Sequence, residues 1–118
     1  MKTRLTKALL LLSLVSLPGQ AAVGYMTARV VSVLVDDIDY AGCMVRVTQD
    51  PTSVLATCGA DWLTLDCAAV FPGSTKSGGA SKLSQAQLGL ITGRSITFKF
   101  TDAQKANGKC LATRLSVN

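Results

Sequence analysis

The chain's reactive side chains are few: four cysteines, seven carboxylates that are all aspartate, no glutamate and no histidine. General acid–base catalysis draws mostly on tuned His and Glu side chains, and neither type is present. Ser-His and Cys-His nucleophile pairs are excluded for the same reason. Cys58 and Cys67 stand too far apart for a C-x-x-C redox motif. The four cysteine spacings match no zinc pattern. Asp36, Asp37 and Asp39 crowd one turn and offer paired carboxylates or Ca²⁺ ligands, but they lack the spacing of an EF-hand loop. A solvated turn is the favoured account of them. Gly78-Gly79 near Lys76 suggests a phosphate loop without the G-x-x-x-x-G-K-[ST] pattern. A surface loop accounts for that segment. This inventory points away from catalysis, and we expect neither a cofactor nor a metal.

Binding residues are the alternative. Trp62 is the one tryptophan and sits beside a strand break. Sugars stack on such rings, although a lone Trp in a small domain is more often part of the core. Arg94, Lys99, Lys105, Lys109 and Arg114 crowd the C-terminal quarter. We take Trp62, Arg94, Lys99 and Arg114 as candidate ligand contacts. Nucleic-acid binding also needs exposed aromatics for stacking. The aromatics are scarce and Phe98 and Phe100 have inward spacing, so no nucleic-acid partner is expected.

The first 21 residues read as a secretory signal peptide. Lys2, Arg4 and Lys7 make a positive start, Ala8–Leu17 an apolar run, and Gly19-Gln20-Ala21 a small-residue cleavage site, with the cut after Ala21 or Ala22. The run is too short to span a bilayer, which takes about 20 apolar residues. Three of the 12 Lys+Arg lie in this segment and none of the 7 Asp+Glu, leaving 9 against 7, a net charge of +2. The chain is expected to be secreted or periplasmic, with residues 22–118 forming a single β-rich domain. A domain of that size buries little core and calls for covalent staples.

Cys43, Cys58, Cys67 and Cys110 supply them, since an even cysteine count in a short exported chain reads as disulfides. Gln49-Asp50-Pro51-Thr52-Ser53 is a turn signal between apolar runs. Folding about Asp50-Pro51 sets Val47 against Val54, Val45 against Ala56 and Cys43 against Cys58. This register predicts bridges Cys43–Cys58 and Cys67–Cys110. One feature runs against the second bridge. Leu111, Leu115 and Val117 share a face in a regular strand, which places Cys110 on the other side with Arg114.

The remaining elements read as strands around one helix. Tyr25–Asp37 is a long first strand with apolar residues on both faces. A third strand is expected from Val54, broken at Gly59-Ala60-Asp61 and leading into Trp62–Cys67. Pro72–Ser81 reads as a mobile loop. Ser84-Gln85-Ala86-Gln87 has the form of a capping box, with Ser84 as N-cap, Leu83 and Leu88 as a hydrophobic staple, and Gly93 past the end. Ile96, Phe98 and Phe100 alternate inward in the following strand, and Cys110–Val117 is the last. Trp62 shares its face with Thr64 and Asp66, opposite Leu63, Leu65 and Cys67, so it is expected half-buried at a barrel end. The fold class is mainly β: a small five-stranded OB-like Greek-key barrel with one helix between strands 3 and 4.

Trp62–Cys67, Leu83–Leu88 and Asn107–Arg114 together resemble segments of small, uncharacterised exported proteins of gram-negative bacteria. In size, export signal, disulfides and element order, the chain is also similar, more distantly, to the B subunits of AB5 toxins. That resemblance implies an OB fold, a ring assembly and glycan binding, and it assigns no residue. We therefore expect a non-enzymatic binding module for a glycan or protein, with homo-oligomerisation left open. The alternative is a periplasmic inhibitor or accessory protein that sits against one envelope partner. No membrane span is expected.

Overall fold

The computed structural model describes residues 21–118. Of the expected signal segment, residues 1–21, only Ala21 lies within the described residues. The chain forms β1 (Val23–Val35), β2 (Cys43–Val47), β3 (Trp62–Thr64), α1 (Lys76–Thr92), β4 (Ser95–Ala106) and β5 (Lys109–Val117). Short 3₁₀ turns occupy Tyr40–Gly42 and Pro51–Ser53. The five strands close into a barrel in the order β1-β2-β3-β5-β4, and β4 pairs back onto β1. All seams are antiparallel except β3–β5, which is parallel. Phe98, Phe100, Ile96, Leu63, Leu65 and Val45 fill the interior and are fully buried. Among the described residues, no helix is long and apolar enough to cross a membrane.

Two β-bulges decide which side chains reach that interior. In β1 the even-numbered Met26, Ala28 and Val30 are buried. The register then shifts between Val30 and Ser32. Beyond it Val33 opposes the core residue Val45, while Leu34 opposes Met44 outside. An extra residue in one strand reverses its facing; here it is Val31, which is exposed. This explains why β1 carries apolar residues at both parities. In β5, Arg114 opposes Lys99 and Ala112 opposes Phe100, so Thr113 is the extra residue. Cys110 and Ala112 therefore point inward together with Leu115 and Val117. The expectation that Cys110 shares an outer face with Arg114 is corrected by this bulge.

The expected disulfide pairing is also corrected. The bridges are Cys43–Cys67 and Cys58–Cys110, with Cα–Cα separations of 5.4 and 5.3 Å. No strand starts at Val54. Asp50 caps a helical turn instead, its side chain accepting the Thr52 N–H at 2.9 Å with Pro51 in the first turn. The N–H groups of Val54 and Leu55 both donate to the Pro51 carbonyl, and Cys58 N–H donates to Leu55. Coiling of residues 51–58 takes Cys58 away from β2. The partner of β2 is β3, with Val45 opposite Leu63 and Arg46 opposite Trp62. That pairing brings Cys67 round to Cys43.

The helix begins earlier than the capping box at Ser84 indicates. Thr75 is the N-cap, its hydroxyl accepting the Gly78 N–H at 2.9 Å. Much of the expected Pro72–Ser81 loop is therefore its first turns. Ser84 lies inside the helix, where its hydroxyl donates back to the Ala80 carbonyl at 3.0 Å. Gly93 ends the helix at φ 68°. Ala86 is fully buried against the barrel. Gly79 permits a close approach at the other end: a Cβ there would fall 2.5 Å from the Asp66 carbonyl oxygen and 2.7 Å from the Cys67 Cα.

Candidate functional site

Trp62 opens β3 and points outward, beside Arg46 of β2. The β1 bulge turns Leu34 onto the same outer surface, next to Met44. The β1–β2 turn then folds over this patch. Asp36 Oδ1 accepts the N–H groups of Ile38 and Asp39 at 2.8 and 2.7 Å, which tightens the turn. These bonds, Asp39's first, hold the Asp36 carboxyl below the usual carboxylate range. The Thr64 hydroxyl donates to the Tyr40 carbonyl at 3.3 Å and fastens the turn to β3. Tyr40 itself stands at φ 59°. Met44, an outward residue, is consequently only 2% exposed.

The product is a pocket of about 260 Å³ lined by Leu34, Tyr40, Met44, Trp62 and Lys109. Its lining is mostly apolar and includes two aromatic residues, Tyr40 and Trp62. Lys109 supplies the one charge in the lining. Its Nζ donates to the Ala60 carbonyl at 2.7 Å, the same carbonyl that accepts the Trp62 backbone N–H at 2.8 Å. Gly59 makes room for this side chain, since a Cβ there would fall 2.7 Å from Lys109 Cδ. An ammonium has three donors, so Lys109 keeps donors for a ligand after meeting Ala60. Its charge also adds to the lowering of the Asp50 carboxyl, which the Thr52 N–H dominates. Two aromatic residues, two apolar ones and an anchored lysine in one lining suit a sugar ring that carries a polar or acidic substituent.

Of the other candidates, none lines this pocket. Lys99 and Arg114 are cross-strand partners on β4 and β5, and Tyr25 of β1 opposes Lys99 on its other side. They form an outward row in which the tyrosine is 59% exposed. Arg94 is exposed in the turn between α1 and β4. Leu34, Tyr40 and Met44 were not among the candidate contacts, and Lys109 was noted only within the C-terminal basic group. Their signal was available in part: Met44 and Leu34 are apolar residues at outward positions, and such residues need a cover.

A second pocket of about 300 Å³ lies at the N-terminus of α1, with Thr75, Gly79, Lys82, Gln104 and Thr113 in its lining. Its polar groups are committed to the fold. Lys82 Nζ donates to the Ala112 carbonyl at 2.8 Å, and burial pushes its pKa down. The Thr75 hydroxyl is the helix cap. Buried Asp66 accepts the Val70 and Phe71 N–H groups at 2.9 and 3.1 Å. Gly78-Gly79 belong to the helix rather than a phosphate loop. Among the described residues, no group of three or more His, Cys, Asp or Glu is placed to hold a metal. No family model, curated protein or solved structure matches the chain.

Proposed function

We propose that the protein is an exported, non-enzymatic binding module whose pocket at Trp62 takes a glycan. The observation that carries this reading is one pocket lined by two aromatic residues, Tyr40 and Trp62, two apolar ones, Leu34 and Met44, and the cationic Lys109. The pocket lies below the roughly 300–1,000 Å³ of sites for drug-sized ligands. It suits one terminal sugar ring rather than a whole oligosaccharide. Lys109 favours a ring bearing a carboxylate or an acylated amine.

The barrel supports this reading as an OB-type fold. A strand order of 1-2-3-5-4 closed between strands 1 and 4, with strands 3 and 5 parallel, supports that assignment. OB folds bind oligosaccharides and oligonucleotides on the face built around strands 2 and 3, where Trp62 and Met44 lie. The kinship with small exported proteins of gram-negative bacteria, and more distantly with AB5 B subunits, is part of the same proposal. So is a location outside the cytosol, which the two disulfides favour. A glycan array probed with the folded, oxidised domain tests the reading. Hits that share one terminal sugar support it. An array without hits, together with capture of one envelope protein from a periplasmic extract, transfers the pocket to the inhibitor or accessory role.

A further inference from the structure

The backbone of Ala22 meets Asp102 twice. Its N–H donates to Asp102 Oδ1 at 2.8 Å, and its carbonyl accepts the Asp102 N–H at 3.2 Å. The second carboxylate oxygen of Asp102 accepts the Thr57 hydroxyl at 2.9 Å. A carboxylate aimed at a backbone nitrogen just before the first strand has a specific use in a chain that is cut there.

We infer that the chain is processed between Ala21 and Ala22, and that the new α-ammonium of Ala22 forms an ion pair with Asp102 that locks the start of β1. The inference rests on the export reading above. In the reaction, water adds across the Ala21–Ala22 amide under a signal peptidase. The C–N bond breaks, Ala21 keeps the new carboxylate, and the Ala22 nitrogen takes up a proton. A neutral N–H bond to Asp102 thereby becomes a charge-assisted one at a site already built for it. A cut one bond later fits worse on two counts. It removes both Ala22 contacts with Asp102 and leaves that carboxylate with the Thr57 hydroxyl as its side-chain hydrogen-bond partner and the charge of Lys105. It also places Gln20 at the −3 position, where Gly19 stands for the earlier cut. Lys105 is the other charged group in this corner: its Nζ donates to the Thr57 carbonyl at 2.6 Å, and its charge also helps to lower the Asp102 carboxyl, after the Ala22 N–H and the Thr57 hydroxyl. The new ammonium would join it on Asp102 at the hydrogen-bonding position that the Ala22 nitrogen already holds.

Export of the full chain from a gram-negative host, followed by intact mass and N-terminal sequencing, tests the site. The expected mature chain starts at Ala22. A chain starting at Val23 overturns the inference while leaving export intact. A chain that keeps Met1 and stays in the cytosol overturns both. A titration of the α-amine by NMR then tests the ion pair. Its pKa is expected above the ordinary range of about 7.7–8.0 and is expected to return to that range in Asp102→Asn. An ordinary value in the unmodified protein, or one that Asp102→Asn leaves where it was, overturns the pairing.

Discussion

Lys109 and Trp62 share one anchor: the Ala60 carbonyl accepts both the Lys109 ammonium and the Trp62 backbone N–H. The parallel β3–β5 seam, registered by Thr64 opposite Leu111, sets the two residues side by side. A cation and the start of the Trp62 strand are thus tied to one backbone oxygen by the fold itself. Little rotamer entropy remains to be lost when a ligand arrives, and that is what distinguishes a preorganised contact from an ordinary surface lysine.

Trp62 is half-buried, and the stability effect of removing it should be intermediate. Truncating a fully buried Trp costs 3–5 kcal/mol. Trp62→Ala is expected to cost about 2 kcal/mol, leaving a folded domain that has lost its ligand. Urea denaturation gives the first number and binding to array hits the second. Loss of all soluble protein would mark Trp62 as a core residue instead.

Non-reducing peptide mapping should return Cys43–Cys67 and Cys58–Cys110. The bridges close segments with sequence separations of 24 and 52, worth about 3 and 4 kcal/mol in the loop-entropy account. The double substitution Cys58→Ser/Cys110→Ser should therefore be the more damaging of the two double knock-outs. A linked Cys43–Cys58 peptide would refute the arrangement.

Gly79→Ala should destabilise the protein even though alanine is the better helix former by about 1 kcal/mol. Its methyl would meet the Asp66 carbonyl and the Cys67 Cα, both backbone atoms. A net loss of about 1–3 kcal/mol is expected, measured by thermal or urea unfolding. A stabilised variant would show that α1 does not approach the β3 connection as described.

Acid should weaken the corner where β1 begins. Asp102 has its carboxyl lowered, first by the Ala22 N–H and next by the Thr57 hydroxyl. A folded-state pKa below the unfolded one gives stability that is full above the unfolded value, about 3.9, and is lost as pH falls through the folded value. Asp102→Asn should flatten the acid limb of the stability curve over that window and change its slope little near neutrality. An unchanged acid limb would show that the carboxylate carries no folding energy.

The parts of the fold legible in the sequence were those written in regular alternation. Ile96, Phe98 and Phe100 read as inward and are fully buried, and Gly93 read as the helix end and is. The misreadings fall where one residue breaks a period. Val31 and Thr113, the bulged residues, reverse the facing of everything beyond them, and a bulge leaves no mark in the sequence that alternation alone reveals. Asp50-Pro51 starts a helical turn as readily as a hairpin, and that choice redirected Cys58 and both disulfides. Thr75 won the cap from Ser84 because the helix packs through Gly79 against the Asp66-Cys67 segment as well as through Ala86 against the barrel, a tertiary effect that outweighs local capping preference. At the site, Trp62 was legible as an outward aromatic. Tyr40 was not, and Lys109 was legible only as one of a basic group, because only the closed barrel brings residues 40, 62 and 109 to one pocket.

A sugar ring seated against Trp62 would alter the emission of the protein's one tryptophan, so its own fluorescence is the most direct measure of the proposed site. The folded domain would be titrated with hexoses, N-acetylhexosamines, uronic acids and sialic acid. We predict a saturable change in emission with at least one of them, strongest for a ring carrying a carboxylate or acetamido group and weakened several-fold by Lys109→Met. Emission that stays constant through millimolar concentrations of every sugar would contradict the account.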